Sequence, residues 1–131
     1  MKTAQTIALA LVATFTAAAG AYAAQPGFSL RTLERGEWTL RDKDDHFRAV
    51  RKICVRDARV LVKLRHPGER CEIHRLNGDS REALFNYSCQ SGRGSTSIRR
   101  ETDRLVQIRS QGLEKGAPFA FDYEARRTGD C

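Results

Sequence analysis

Residues 71–89 read CEIHRLNGDSREALFNYSC and place β-forming residues on both sides of the turn signal Asn77-Gly78-Asp79. If Asn77 faces Ala83 across that turn, Cys71 lies opposite Cys89 at the open end of the hairpin. The same register pairs Arg75 with Phe85 and Ile73 with Tyr87, so that all these residues share one face of the pleat. Because a slip of one residue would move them to the other face, the stretch predicts a hairpin joined by a Cys71–Cys89 disulfide.

Five further stretches alternate apolar and polar residues as half-buried strands do, and they cover residues 36–41, 46–55, 95–101, 105–110 and 119–126. The alternation is irregular in the second of them, which suggests a bulge. Between residues 95 and 110 the predicted register places Ile98 opposite Ile108, Arg100 opposite Val106 and Glu101 opposite Leu105. Together with the central hairpin, the sequence predicts about seven strands.

One short helix is predicted after Asp57, which can cap it, because Val60, Leu61 and Leu64 recur at helical spacing. About two turns are too short to be stable alone in water, so this helix must dock on the sheet. The fold class is therefore mainly β. We expect an antiparallel meander of about seven strands that forms a curved sheet or small open barrel, with one short helix and disulfide staples.

The first 23 residues have the features of a secretory signal peptide. Lys2 precedes an apolar run from Ile7 to Ala19, and Ala21-Tyr22-Ala23 supplies the small residues that precede a cut after Ala23. The run is shorter than the roughly 20 apolar residues of a membrane span, although an uncleaved anchor is the alternative. The predicted organisation is a signal peptide over 1–23, an N-terminal arm over 24–35 and a single β-rich domain over 36–131, periplasmic or secreted, with no transmembrane segment after cleavage.

Removal of the leader changes the composition on which the fold depends. The precursor has 23 Lys+Arg against 16 Asp+Glu, and the loss of Lys2 lowers its formal charge from +7 to +6. Of the 108 residues that remain, 37 are hydrophobic and 38 are charged. This composition excludes a transmembrane protein, a coiled coil, a collagen-like chain and a large two-domain enzyme. A chain so short of apolar residues needs its cysteines as staples.

The four cysteines allow three pairings. The hairpin register selects Cys71 with Cys89 and leaves Cys54 for Cys131, and an oxidising compartment favours both bonds. A zinc site is the rival use of these residues, since Cys71 and His74 have a plausible spacing and His46 and His66 are available. The sequence has no Cys-x-x-Cys pair, so we expect disulfides and no bound metal.

Several of these residues together resemble a known family of small secreted bacterial proteins. They are Gly36-Glu37-Trp38, Cys54 with the short helix after it, Cys71, Tyr87-Ser88-Cys89 and Gly129-Asp130-Cys131. This pattern is similar to that of the domain of unknown function 3617 family and covers about Gly36 to Cys131. The resemblance implies the fold and the compartment, and it implies no activity and no catalytic residue. The chain differs from the family in its many arginines, as at Ile98-Arg99-Arg100 and Arg126-Arg127.

No catalytic set is visible in the sequence, so we expect neither an enzyme nor a cofactor. A Gly-x-Ser-x-Gly elbow does not occur, and Gly92-Arg93-Gly94-Ser95 lacks the Lys-Ser/Thr of a phosphate loop. Three aspartates at 42, 44 and 45 could hold a hard cation, but a calcium loop needs more oxygen ligands at fixed spacing. A solvated hairpin tip is the better interpretation of these carboxylates.

The basic excess is the one global indication of function, and arginine forms forked hydrogen bonds with phosphates and carboxylates. The candidate anion-binding residues are Arg99, Arg109, Arg126 and Arg127. Secretion and the lack of a recognition helix disfavour nucleic acid. We therefore expect a non-enzymatic binding or envelope-associated module for an anionic lipid, lipopolysaccharide or polysaccharide, although a merely solvated basic surface is the alternative.

A second hypothesis concerns the aromatic residues of the predicted sheet. If the curved sheet encloses an apolar cavity, Trp38, Phe85, Phe121 and Tyr123 are its candidate lining residues. The protein would then be a carrier of a small apolar ligand. The competing interpretation is that these rings form an ordinary packed core.

Overall fold

The computed structural model describes residues 27–131, and its strands form one open antiparallel sheet. The strands are β1 (Gly36–Asp42), β2 (Arg48–Val55), β3 (Cys71–Gly78), β4 (Glu82–Cys89), β5 (Gly92–Thr102), β6 (Leu105–Glu114) and β7 (Ala117–Gly129). Their order in space is β2-β1-β7-β6-β5-β4-β3. The predicted fold class is thus confirmed. Strands β3 to β7 are neighbours in chain order, β1 pairs with β2, and β7 pairs with β1. The predicted signal peptide, residues 1–23, lies outside the described residues.

The central hairpin has the predicted register over most of its length. Cys71 faces Cys89, Ile73 faces Tyr87 and Arg75 faces Phe85. The prediction is wrong next to the turn, where Leu76 is an extra residue, so that Asn77 faces Leu84 and Gly78 faces Ala83. The side chain of Asp79 accepts hydrogen bonds from the amides of Arg81 and Glu82, at 2.7 and 2.8 Å. This turn sets the local pairing, and the bulge absorbs the one-residue difference.

Two other hairpins also have an irregular register close to the turn. In β5–β6, Ile98 faces Ile108 as predicted, but Thr102 faces Leu105 because Glu101 is an extra residue. In β1–β2 the register shifts beside Val50, which confirms the predicted bulge. Apolar alternation therefore predicts the middle of the β3–β4 and β5–β6 pairings, while turn geometry determines their ends.

The inner face of the sheet carries the hydrophobic core, and residues 57–66 cross it. Fully buried residues of the sheet are Trp38, Leu40, Ala83, Ile98, Val106, Ile108 and Ala125, and Leu61 and Val62 of the crossing segment pack against them. The Thr96 hydroxyl donates to the carbonyl of Val62 at 2.6 Å, and Nη2 of Arg51 donates to the carbonyl of Leu64 at 3.0 Å. Strands β5 and β2, which are far apart in the sheet, thus both bind the crossing segment.

The crossing segment contains a 3₁₀ turn, Ala58–Leu61, where the sequence predicts a two-turn helix. Asp57 caps it as predicted, accepting from the amide of Arg59 at 2.9 Å. The turn does not continue as an α-helix because the carbonyl of Val62 is occupied by Thr96, while the amide of His66 donates to Lys63. Bonds to the sheet therefore replace the bonds of a second helical turn.

The described part of the N-terminal arm packs tightly on the sheet. It contains one 3₁₀ turn, Leu30–Thr32, and it buries Phe28 and Leu33 in the core. The amide of Phe28 donates to the carbonyl of Asp79 at 2.8 Å, and the Trp38 indole donates to the carbonyl of Glu34 at 2.9 Å. The arm is therefore an integral layer over the inner face.

Both predicted disulfides are present, Cys71–Cys89 and Cys54–Cys131. The first joins the neighbours β3 and β4, and the second joins β2 to the residue that ends the described chain. Such bonds fit a periplasmic or extracellular protein, because these compartments are oxidising. Within residues 27–131, no helix has the length and apolar character needed to cross a membrane.

Candidate functional site

The four predicted anion-binding arginines do not converge on one site. Arg99, Arg109 and Arg126 lie on the outer face of the sheet, and Arg127 lies on the inner face beside the N-terminal arm, where its Nε donates to the carbonyl of Arg35 at 2.7 Å. Arg99 and Arg109 border one shallow pocket of about 330 Å³, and Arg126 does not.

Each of these four arginines also has an acidic partner. The closest pairs are Arg99 with Glu101 at 3.2 Å, Arg109 with Asp122 at 3.2 Å, Arg126 with Glu124 at 3.7 Å and Arg127 with Asp130. Burial raises the pKa of Asp122, but hydrogen bonds and positive charge from Lys43 and Arg109 bring it below its usual value. The positive charge of this outer face is thus largely neutralised by its own neighbours.

The four predicted cavity residues are divided between the core and two separate surface grooves. Trp38 is fully buried, and Phe85 is 6% exposed. Phe121 and Tyr123 are half-buried and stacked, with ring centroids 4.3 Å apart, and they border a groove of about 380 Å³. Phe85 borders a different and larger depression described below. The four residues therefore do not line one shared cavity.

The residues considered for metal binding have other partners. Cys71 is bonded to Cys89, and Nδ1 of the buried His66 lies 3.1 Å from the hydroxyl of Tyr87. At the β1–β2 turn, Asp42 accepts from the amide of Asp44, and Asp45 pairs with Arg48. Residues 27–131 contain no group of three potential metal ligands.

A trough lies between the arm, the crossing segment and the two edge strands. It consists of two concavities of about 800 and 640 Å³. They share Leu30, Asp57, Arg59, Arg75 and Phe85 and therefore adjoin each other, and we call the two together the arginine trough. Val55 of β2 and Ile73 of β3 both line it, although these strands are at opposite edges of the sheet. The curvature of the sheet brings its two edges to this site.

The floor of the trough is apolar. Phe28, Leu33, Val55 and Phe85 are at most 6% exposed, and their side chains belong to the hydrophobic core. Four half-buried residues complete the floor, namely Leu30, Ala58, Val60 and Ile73. The trough therefore exposes one edge of the hydrophobic core to solvent.

The rim of the trough is basic. It carries Arg31, Arg35, Arg56, Arg59 and Arg75 around the first concavity, and Lys63 and Arg70 around the second. Arg59 pairs with Asp57 at 2.6 Å. Within residues 27–131, no carboxylate lies within 4.0 Å of a side-chain nitrogen of the other rim arginines. Most of the rim guanidinium groups thus keep free donors for an external anion.

The electrostatic environment of Asp57 reflects this concentration of cations. Hydrogen bonds from Arg59 lower the pKa of the Asp57 carboxyl, and the positive charges of Arg59 and Arg35 lower it further. Among the described residues, Asp57 is the one acidic residue that lines the first concavity, together with five arginines. These six side chains carry a net formal charge of +4 when Asp57 is ionised.

The sequence contains a signal for this site that does not depend on strand alternation. Between residues 48 and 65 there are seven basic residues and a single acidic one, Asp57. The candidates Arg99, Arg109 and Arg126 lie on β5–β7, and the same strands carry their acidic partners. Three of the seven basic residues in this segment line the trough, whereas Arg48, Lys52 and Arg65 have acidic partners elsewhere. The local excess of basic residues thus indicates part of the trough, and the structure decides which of them are unpaired.

No protein-family model, curated protein or solved structure matches this chain. The resemblance to the domain of unknown function 3617 family therefore stays a prediction.

Proposed function

We propose that this protein is a secreted or periplasmic binding module without catalytic activity, and that the arginine trough binds an anionic component of the cell envelope. The observation that carries this proposal is the rim of the arginine trough, where four of the five arginines around the first concavity have no carboxylate within 4.0 Å in the described part of the chain. Guanidinium groups form forked, charge-assisted hydrogen bonds with phosphate and carboxylate oxygens. Arg31, Arg35 and Arg56 project such donors around one opening.

The distribution of ion pairs supports the trough over the outer face of the sheet. On the outer face, an anion would compete with Glu101, Asp122 and Glu124 for arginines that these residues already bind. At the trough, an incoming anion meets exposed guanidinium groups, such as those of Arg31, Arg35 and Arg56, that have no carboxylate partner within residues 27–131. A net positive potential also accelerates the encounter with an anionic partner, and this effect weakens with salt.

Binding to lipid vesicles tests the proposal. The protein is sedimented with vesicles of phosphatidylcholine alone or mixed with phosphatidylglycerol, at low and high salt. We expect binding to the anionic vesicles only, with loss at high salt. Each basic residue near an anionic surface contributes about 1 kcal/mol, so the double variant Arg35→Gln/Arg56→Gln is expected to bind about 30-fold more weakly.

The matched control is Arg99→Gln/Arg126→Gln, which removes the same charge from arginines that have acidic partners. We expect this variant to bind less than threefold more weakly than the unaltered protein. Equal losses in the two variants would show that total charge, and not the trough, determines binding. Equal binding to both kinds of vesicle would contradict the proposal altogether.

A further inference from the structure

We propose that the ligand of the arginine trough is a single-chain anionic amphiphile, with a phosphate or carboxylate head group and one acyl chain, bound one per protein. This inference rests on the proposed function and identifies the class of anion. It is based on the combination of an apolar floor and a basic rim in one depression. Neither a purely polar anion nor a purely apolar molecule would match both parts.

The floor supplies the argument for the chain. A polar anion bound at the rim would leave the half-buried apolar residues Leu30, Ala58, Val60 and Ile73 in contact with water. An acyl chain that covers them would remove this apolar surface from solvent, which is favourable in proportion to the area covered. The concavities, at about 800 and 640 Å³, are within the usual size range of small-molecule sites.

The rim supplies the argument for the head group and for the orientation. Five arginines and one carboxylate, Asp57, line the first concavity, whereas four basic residues and two carboxylates, Asp57 and Glu69, line the second. Hydrogen bonds from Ser91 lower the pKa of the Glu69 carboxyl, so it is ionised near neutral pH and repels an anion. The head group therefore belongs in the first concavity. The chain then runs over Leu30 and Phe85, which line both concavities, toward Ile73 of β3.

Titration calorimetry with alkyl phosphates below their micelle concentrations tests this inference on the unaltered protein. Ethyl, octyl and decyl phosphate share one head group and differ only in the chain. We expect one molecule of decyl phosphate per protein and an affinity that rises two- to fourfold per added methylene, the upper value corresponding to a fully buried group. Ethyl phosphate is expected to bind at least 100-fold more weakly than decyl phosphate.

A pair of leucine variants locates the chain. Leu30→Asp places a charge on the floor of the trough, and Leu76→Asp places the same charge at an exposed leucine that lines neither concavity. We expect the first variant to lose at least tenfold in affinity for decyl phosphate and the second to be unchanged. The melting temperature of each variant shows whether it is folded, and the chain-length series remains decisive if Leu30→Asp unfolds.

The outcomes separate this inference from the proposed function. If ethyl and decyl phosphate bind equally and anionic vesicles still require Arg35 and Arg56, the amphiphile is excluded and the anion-binding function stands. If decyl phosphate binds but folded Leu30→Asp does not weaken it, the chain lies elsewhere and the inference is wrong. If neither the alkyl phosphates nor the anionic vesicles bind, both proposals fail.

Discussion

Loss of the Cys54–Cys131 disulfide is expected to destabilise the protein more than loss of Cys71–Cys89. The two bonds join residues that are 77 and 18 positions apart in the chain. If a crosslink acts by restricting the unfolded chain, these separations correspond to about 4.5 and about 3 kcal/mol. The topology agrees with this order, because Cys71 and Cys89 face each other within one hairpin, whereas Cys54 lies on a strand that β1 separates from β7.

The experiment compares two double variants, Cys54→Ser/Cys131→Ser and Cys71→Ser/Cys89→Ser, so that neither protein retains an unpaired thiol. Urea unfolding at 25 °C is followed by fluorescence of Trp38, the single tryptophan, which is fully buried and becomes exposed on unfolding. We expect the first variant to lose about 1.5 kcal/mol more than the second. An equal loss, or a larger loss for the hairpin bond, would refute the argument from chain entropy.

Two further predictions concern buried polar groups. Tyr87→Phe removes the hydroxyl that lies 3.1 Å from Nδ1 of buried His66 and should cost about 1 to 3 kcal/mol in urea unfolding, whereas the control Tyr123→Phe, at a half-buried ring, should cost less than about 0.5 kcal/mol. Asp122 has a lowered pKa in the folded protein, so its ionised form stabilises the fold above the unfolded value of about 3.9, and this contribution is lost as the pH falls further. The melting temperature should therefore drop below about pH 4, and in Asp122→Asn this acid-induced drop should be smaller; an unchanged pH profile in that variant would contradict the assignment.

The strand registers show how far sequence patterns predict this fold. Apolar alternation and the facing cysteines predict the pairing of Ile73 with Tyr87, and the structure confirms it. The same reasoning is wrong at Leu76 and Glu101, the extra residues beside two turns. Alternation reports which face of a strand is buried, whereas a turn has its own hydrogen bonds, such as those accepted by Asp79. A bulge lets both requirements be met, and nothing in the alternation marks where it occurs.

The crossing segment shows a second limit of the sequence patterns. Val60, Leu61 and Leu64 have helical spacing, but only a short 3₁₀ turn forms. The cap at Asp57 is local and was predictable. The hydrogen bond from Thr96 to the carbonyl of Val62 joins residues 34 positions apart, and it replaces the helical bonds that the spacing alone would suggest. Tertiary contacts thus override a weak local preference.

The sequence by itself determined the mainly β fold class, the middle of the β3–β4 and β5–β6 pairings, both disulfides and the excess of basic residues. These properties depend on alternation along a strand and on the number of charges, which can be read from the chain. Only the tertiary structure decided which arginines are unpaired and which apolar residues form the floor beneath them. Ion pairing depends on separations of a few ångströms between side chains, and the trough brings Arg31, Arg56 and Arg75 together from three distant segments. The proposed function depends on that arrangement and not on the number of arginines.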